Sequence, residues 1–133
     1  MSDPAKNIWP VLLLDDAAGV LGLLEALGFQ PTTMMDDGGV VHHGELTWPE
    51  GGGVMVGSAN REGSEFSKSE HGPALVYVVT DDPDGAHNRA VEHDAEIVMP
   101  LTDQDYGSRE FSLRDPDGNV WTFGTYRGAP APD

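Results

Sequence analysis

Apolar and polar residues alternate along the chain in two successive cycles. Residues 8–14 form a short, almost unbroken apolar run, the pattern of a buried strand. Asp15 and Asp16 then offer a cap and early negative charge for a helix. Ala17, Val20, Leu21, Leu24 and Leu27 recur at helical spacing, so one stripe faces a core, and Gly28 stands where a left-handed cap belongs. Gly19 and Gly22 each weaken this helix by roughly 1 kcal/mol relative to Ala, which makes it dependent on packing. Three strands are predicted next, over 32–35, 40–48 and 53–58, divided by Asp36-Asp37-Gly38-Gly39 and Pro49-Glu50-Gly51-Gly52. The first half reads βαβββ.

Residues 60–70 are polar and aperiodic, and they read as a linker. A second cycle begins with a β-branched and aromatic run at 74–80. Asp82-Pro83-Asp84 follows as a cap, a first-turn proline and a first-turn acid for a helix reaching about residue 93. Strands are predicted over 96–101, 109–114 and 119–126, the last two joined by Asp115-Pro116-Asp117-Gly118. The same tetrapeptide at 82–85 opens a helix, because helix-compatible residues follow it there. Asp15-Asp16 and Asp81-Asp82 lie 66 positions apart, and Glu25 and Glu92 lie 67 apart, as in a diverged duplication. The expected organisation is one domain, with module one at 7–59, a linker at 60–71, module two at 72–127 and a flexible tail at 128–133.

At 133 residues with 38% hydrophobic content, the chain can build a packed core. Its 23 acidic against 7 basic residues give a formal charge of −16, which repels phosphate backbones and anionic headgroups. Nucleic acid and membrane surfaces are therefore not expected as partners, whereas a cationic ligand would be attracted. There is no cysteine, hence no disulfide, thiolate metal site or sulfur nucleophile. The start at residues 1–6 lacks a signal-peptide pattern, and a cytoplasmic location is expected.

Little in the residues points to catalysis. His42 and His43 are adjacent in a strand and face opposite sides, whereas His43 and Glu45 share a face without a visible third ligand. His87 and His93 are read as surface residues. Gly51-Gly52-Gly53 precedes a strand and so marks a turn, not a phosphate loop. Arg109 and Glu110 are strand neighbours, so at most one faces any cavity, and a structural role is preferred for both.

Two βαβββ units, Leu27-Gly28-Phe29 closing the first helix, and above all the stretch from Tyr106 to Tyr126, with Arg109-Glu-Phe-Ser-Leu-Arg-Asp-Pro-Asp-Gly-Asn119 at its centre, resemble the vicinal oxygen chelate superfamily. That group includes glyoxalase I, extradiol dioxygenases and the fosfomycin and bleomycin resistance proteins, and the resemblance is closest to the bleomycin-resistance-like branch. It implies an α+β fold in which two βαβββ modules form a cupped mixed sheet with helices outside. It also implies a divalent metal in the catalytic members, held by His, Gln or Glu on the first and last strands of each module. At the corresponding places this chain has Ile8 with Trp9 and Pro10, residues 54–58, Leu75 with Pro73 and Ala74, and Thr122. None is a usual ligand. His71 is the residue that a shifted strand could bring in.

The resemblance thus implies a small-molecule-binding protein without a cofactor, assembled as a homodimer and holding a planar or cationic ligand. The candidate ligand-binding residues are Trp9, His43, Glu45, Trp48, Met55, Tyr77, Met99, Tyr106, Arg109 and Thr122, with no catalytic residue assigned. Alternation is expected to turn Trp121 and Phe123 into the core if Thr122 faces the cavity. The alternatives are a metal-dependent lyase, isomerase or dioxygenase using His43, Glu45 or His71, a cofactor-free catalyst, and an interaction module without a ligand.

Overall fold

A computed structural model describes residues 8–130. The start read for targeting, position 7 and the last three residues of the expected tail lie outside the described residues. The elements run β1 (Val11–Leu14), α1 (Ala17–Leu27), β2 (Gln30–Asp37), β3 (Val40–Thr47), β4 (Gly53–Ser58), β5 (Leu75–Val79), α2 (Pro83–Glu92), β6 (Glu96–Asp103), β7 (Arg109–Arg114) and β8 (Val120–Gly124). They build two four-stranded mixed sheets, ordered β1-β4-β3-β2 and β5-β8-β7-β6, with β1 parallel to β4 and β5 parallel to β8. This is the α+β arrangement of two βαβββ modules.

Local chemistry accounts for the helices. The Asp16 carboxylate accepts from the Gly19 N–H at 3.0 Å, and the Asp82 carboxylate from the Gly85 N–H at 3.0 Å, so each helix opens on a side-chain cap. Gly28 ends α1 at φ 121°, a conformation that costs glycine nothing. The first strand is shorter than the apolar run suggests, because Pro10 has no N–H to contribute, although its carbonyl accepts from Met55 N at 2.9 Å. β2 is longer than predicted: its flanking polar residues pair along β3 while remaining exposed.

The helix-covered faces of the two sheets share one core. Leu12, Leu14, Val54 and Val56 of the first sheet are buried with Phe111, Leu113, Trp121 and Phe123 of the second. Phe29 and Trp48 lie 4.9 Å apart between ring centroids, and Trp121 and Phe123 reach this pair at 5.7 Å each. The buried Asp115 carboxylate accepts from the Asn119 backbone and amide groups and from the Trp121 indole at 2.9 Å. The turn that carries most of the family resemblance is therefore a scaffold device: it fixes the β7–β8 hairpin and a core tryptophan.

The linker is more ordered than its composition suggests. Ser67 is fully buried, its hydroxyl donates to the Ser64 carbonyl at 2.8 Å, and a short 3₁₀ turn spans Phe66–Lys68.

Candidate functional site

Each sheet has a second face, opposite its helix, the cup face of the arrangement the resemblance implies. In module two, the ladder places Tyr77 of β5 beside Thr122 of β8, Thr122 beside Ser112 of β7, and Ser112 beside Met99 of β6. Three residues expected to bind ligand, Tyr77, Thr122 and Met99, are thereby brought into one row. Thr122 Oγ1 and Ser112 Oγ are hydrogen-bonded at 2.7 Å. The neighbouring row holds Glu110 opposite Gly124.

Glu110 is the centre of this cup. Its residue is only 3% exposed, and its carboxylate accepts three hydroxyls: Tyr77 at 2.7 Å, Tyr106 at 2.6 Å and Ser108 at 2.9 Å. Burial pushes this carboxyl up, but the hydroxyls of Tyr106, Tyr77 and Ser108 outweigh burial and leave it below its usual range. The partners respond in the opposite sense. Tyr106 is pushed up to about 12 chiefly by donating to Glu110, and Tyr77 is raised by desolvation. At neutral pH the cluster is thus one carboxylate held by two intact phenols.

Gly124 makes this packing possible. A Cβ there would fall 2.4 Å from Tyr77 Oη and 2.5 Å from Glu110 Cγ. The Tyr106 and Tyr126 rings stand edge to face at 5.8 Å, and both remain about half exposed, at 60% and 48%. The cup therefore offers aromatic surface over a buried negative charge. Its chemistry suits binding: the carboxylate is a weak base, and the phenols are too weakly acidic to give up protons near neutrality.

The module-one cup repeats this layout 66 or 67 positions earlier with different residues. Val11, Met55, Glu45 and Thr33 form the row equivalent to Tyr77, Thr122, Ser112 and Met99. His43 stands where module two has Glu110, and its Nε2 lies 2.7 Å from Glu45 Oε2. Gly57 occupies the place of Gly124, and the Arg61 guanidinium lies across it. Val11, Leu13, His42, His43, Arg61 and Phe66 help line a cavity of about 250 Å³ here.

The remaining candidates lie elsewhere. Trp48 is 5% exposed within the inter-module core, and its indole donates to the Val79 carbonyl at 2.9 Å. It also lines a cleft of about 300 Å³ between the modules, with Phe29, Val54, Val76 and Val78. The Trp9 ring packs against Gly53, within 2.9 Å of where a Cβ would be. Arg109 points away from Glu110's face and pairs with Asp84 at 2.7 Å and Asp103 at 3.2 Å. His71 Nε2 contacts Asp15 Oδ1 at 3.2 Å, and its pKa is raised by the Ser69 carbonyl and then by Asp15.

Sequence reasoning left Glu110 in a structural role and did not single out Ser108, Tyr126 or Arg61. The repeat itself carried the signal, since it places Gly57 with Gly124 and His43 with Glu110.

The model of the Glyoxalase/Bleomycin resistance protein/Dioxygenase superfamily matches residues 23–123. The chain belongs to this superfamily. Among solved structures, TioX from Micromonospora sp. ML1 is 27% identical with a TM-score of 0.72, over 89% of this chain and 98% of TioX. A superfamily member from Sphaerobacter thermophilus is 18% identical with a TM-score of 0.65, over 91% and 97% of the respective chains. Lactoylglutathione lyase from Agrobacterium tumefaciens is 15% identical with a TM-score of 0.63, over 92% and 95%. The last two likenesses establish the fold alone. No curated protein matches the chain.

The superfamily's catalytic members hold a divalent metal in the cup, and the residues here fit one poorly. On the last strand of each module, on the cup face, stand Thr122, whose hydroxyl is bonded to Ser112, and Met55, a soft thioether. Among the described residues, no three His, Asp or Glu side chains form a group that could hold an ion.

Proposed function

We propose that this superfamily member is a metal-independent small-molecule-binding protein of the bleomycin-resistance type. It sequesters a planar or cationic ligand against Tyr77, Tyr106 and Tyr126. The carrying observation is the buried Glu110 carboxylate, held by three hydroxyls beneath partly exposed phenol rings. A ring over a fixed negative charge favours a stacked cation, and the net charge of −16 steers cations toward the protein.

A cytoplasmic homodimer whose grooves use both chains belongs to the same proposal. Apolar groups left exposed on the cup faces support it: Leu75 is 83% exposed, Met35 60% and Val11 46%. No helix among the described residues is long and apolar enough to cross a membrane.

The test is a titration with proflavine, a planar cation, followed by its fluorescence, together with native mass spectrometry after incubation with Zn, Ni, Mn and Fe(II) salts. A metal-free dimer that binds proflavine, with affinity reduced about tenfold or more in Tyr106→Ala, supports the reading; that factor is about 1.4 kcal/mol. Absent binding, or binding indifferent to both Tyr106→Ala and Glu110→Gln, overturns it.

The 2.7 Å contact between His43 and Glu45 favours one second reading, a metal-dependent lyase, isomerase or dioxygenase with an unorthodox ligand set. One metal per subunit, lost in His43→Ala, would establish that reading instead.

A further inference from the structure

Of the five arginines, Arg109, Arg114 and Arg127 each pair with a carboxylate, and the Arg89 Nε–H is spent on the Leu27 carbonyl. Arg61 faces no carboxylate among the described residues, in a chain with 23 acidic groups. Its position is nevertheless well defined. Nη1 donates to the carbonyls of Val41 at 2.9 Å and His42 at 3.0 Å, and Nη2 to Ser64 Oγ at 3.3 Å. Nε–H and the second Nη2–H have no partner among the described residues.

The floor beneath this group is cleared for it. A Cβ on Gly57 would lie 2.7 Å from Nη1, so the bare glycine leaves room for the end of the Arg61 side chain against β4. The cavity above is amphipathic: Val11, Leu13 and Phe66 supply apolar wall, and the polar side includes Arg61 and His43, whose Nε2 faces Glu45 at 2.7 Å. Phe66 is 61% exposed at its edge. A planar fork with donors to spare matches a carboxylate's two oxygens, and a contact pair in a half-buried cavity is stronger than one in open water. Acidic groups more than about 8 Å away are largely screened at physiological salt, so most of the acidic surface opposes an incoming anion only weakly.

We propose that the module-one cup is a subsite for an organic carboxylate, with the acid on Arg61 and the apolar body on Val11, Leu13 and Phe66. This goes beyond the tyrosine-lined site and does not depend on it. Against the two equivalent glycines stand groups of opposite sign, Glu110 beside Gly124 and Arg61 beside Gly57.

The experiment compares benzoate with benzamide, equal in shape and differing in charge, by calorimetry and by NMR of the Arg61 Nε–H. Benzoate is expected to bind about tenfold or more tightly than benzamide and to shift the Arg61 Nε–H, with Arg61→Gln erasing the difference. That substitution also removes the carbonyl bonds, so the wild-type Nε–H signal is the independent readout. Equal affinity for the two probes, or a benzoate response confined to Tyr106 and Tyr126, overturns the proposal. The proflavine titration is read separately, so either site can fail alone.

Discussion

Glu50 and Asp117 hold the same place in the two modules, 67 positions apart, and each binds the start of the other module's helical segment. Glu50 accepts the Thr80 hydroxyl at 2.7 Å and the Asp81 N–H at 2.8 Å. Asp117 accepts the N–H groups of Asp15 at 2.7 Å and Asp16 at 2.8 Å. The reciprocity fixes how the modules sit together. Asp117→Ala is expected to cost about 1 kcal/mol, the scale of a lost helix cap, and Asp117→Asn less, because one acceptor survives. Urea unfolding measures both, and an unchanged midpoint for Asp117→Ala would mean that water replaces the bonds fully.

Glycines divide into those that serve the cup and those that do not. Gly124→Ala drives a methyl into Tyr77 and Glu110, and it should cost about 1 to 3 kcal/mol while weakening proflavine binding. Gly22→Ala meets nothing within 4 Å on an exposed helix position and should gain about 0.5 to 1 kcal/mol. Gly19 departs from the simple propensity expectation, because a Cβ there would approach the capping Asp16 carboxylate to 2.3 Å. Thermal melts of Gly22→Ala and Gly124→Ala should move in opposite directions.

Trp48 welds the modules across the core. Its indole bond to Val79 and its contacts with Phe29 and Phe123 join residues from both halves. Trp48→Phe keeps an aromatic ring but removes the donor, with an expected loss of about 1 to 3 kcal/mol. Chemical unfolding reads the loss directly; a variant as stable as the parent would show that Val79 finds another donor.

What the sequence could show was local. Asp16, Gly28, Asp82 and Pro83 act on their own neighbours, so helix boundaries were readable, and alternation placed Trp121 and Phe123 in the core once Thr122 faced the cup. The Glu110 cluster was not readable. Its donors come from β5, from the turn before β7 and from Ser108, and only the strand register brings them together. Arg61 was hidden for a related reason: a polar linker without periodicity gives no hint that one of its side chains lies on Gly57.

The acid–phenol cluster makes a pH prediction with a definite sign. Glu110 titrates below its usual range when folded, so its contribution to stability is present above the unfolded carboxyl value and is lost as pH falls through the folded one. Tyr106 runs the other way: raised to about 12, it supports the fold below pH about 10 and loses that contribution as pH rises toward 12. The two shifts have a common origin in one hydrogen bond, so a single substitution tests both. Tyr106→Phe should move the Glu110 carboxyl upward in an NMR titration and remove the component near 12 from the 295 nm phenolate titration, leaving the raised Tyr77 behind. If Glu110 titrates identically in Tyr106→Phe, Tyr77 and Ser108 alone hold the carboxylate, and the exposed ring over it is free to move with the ligand.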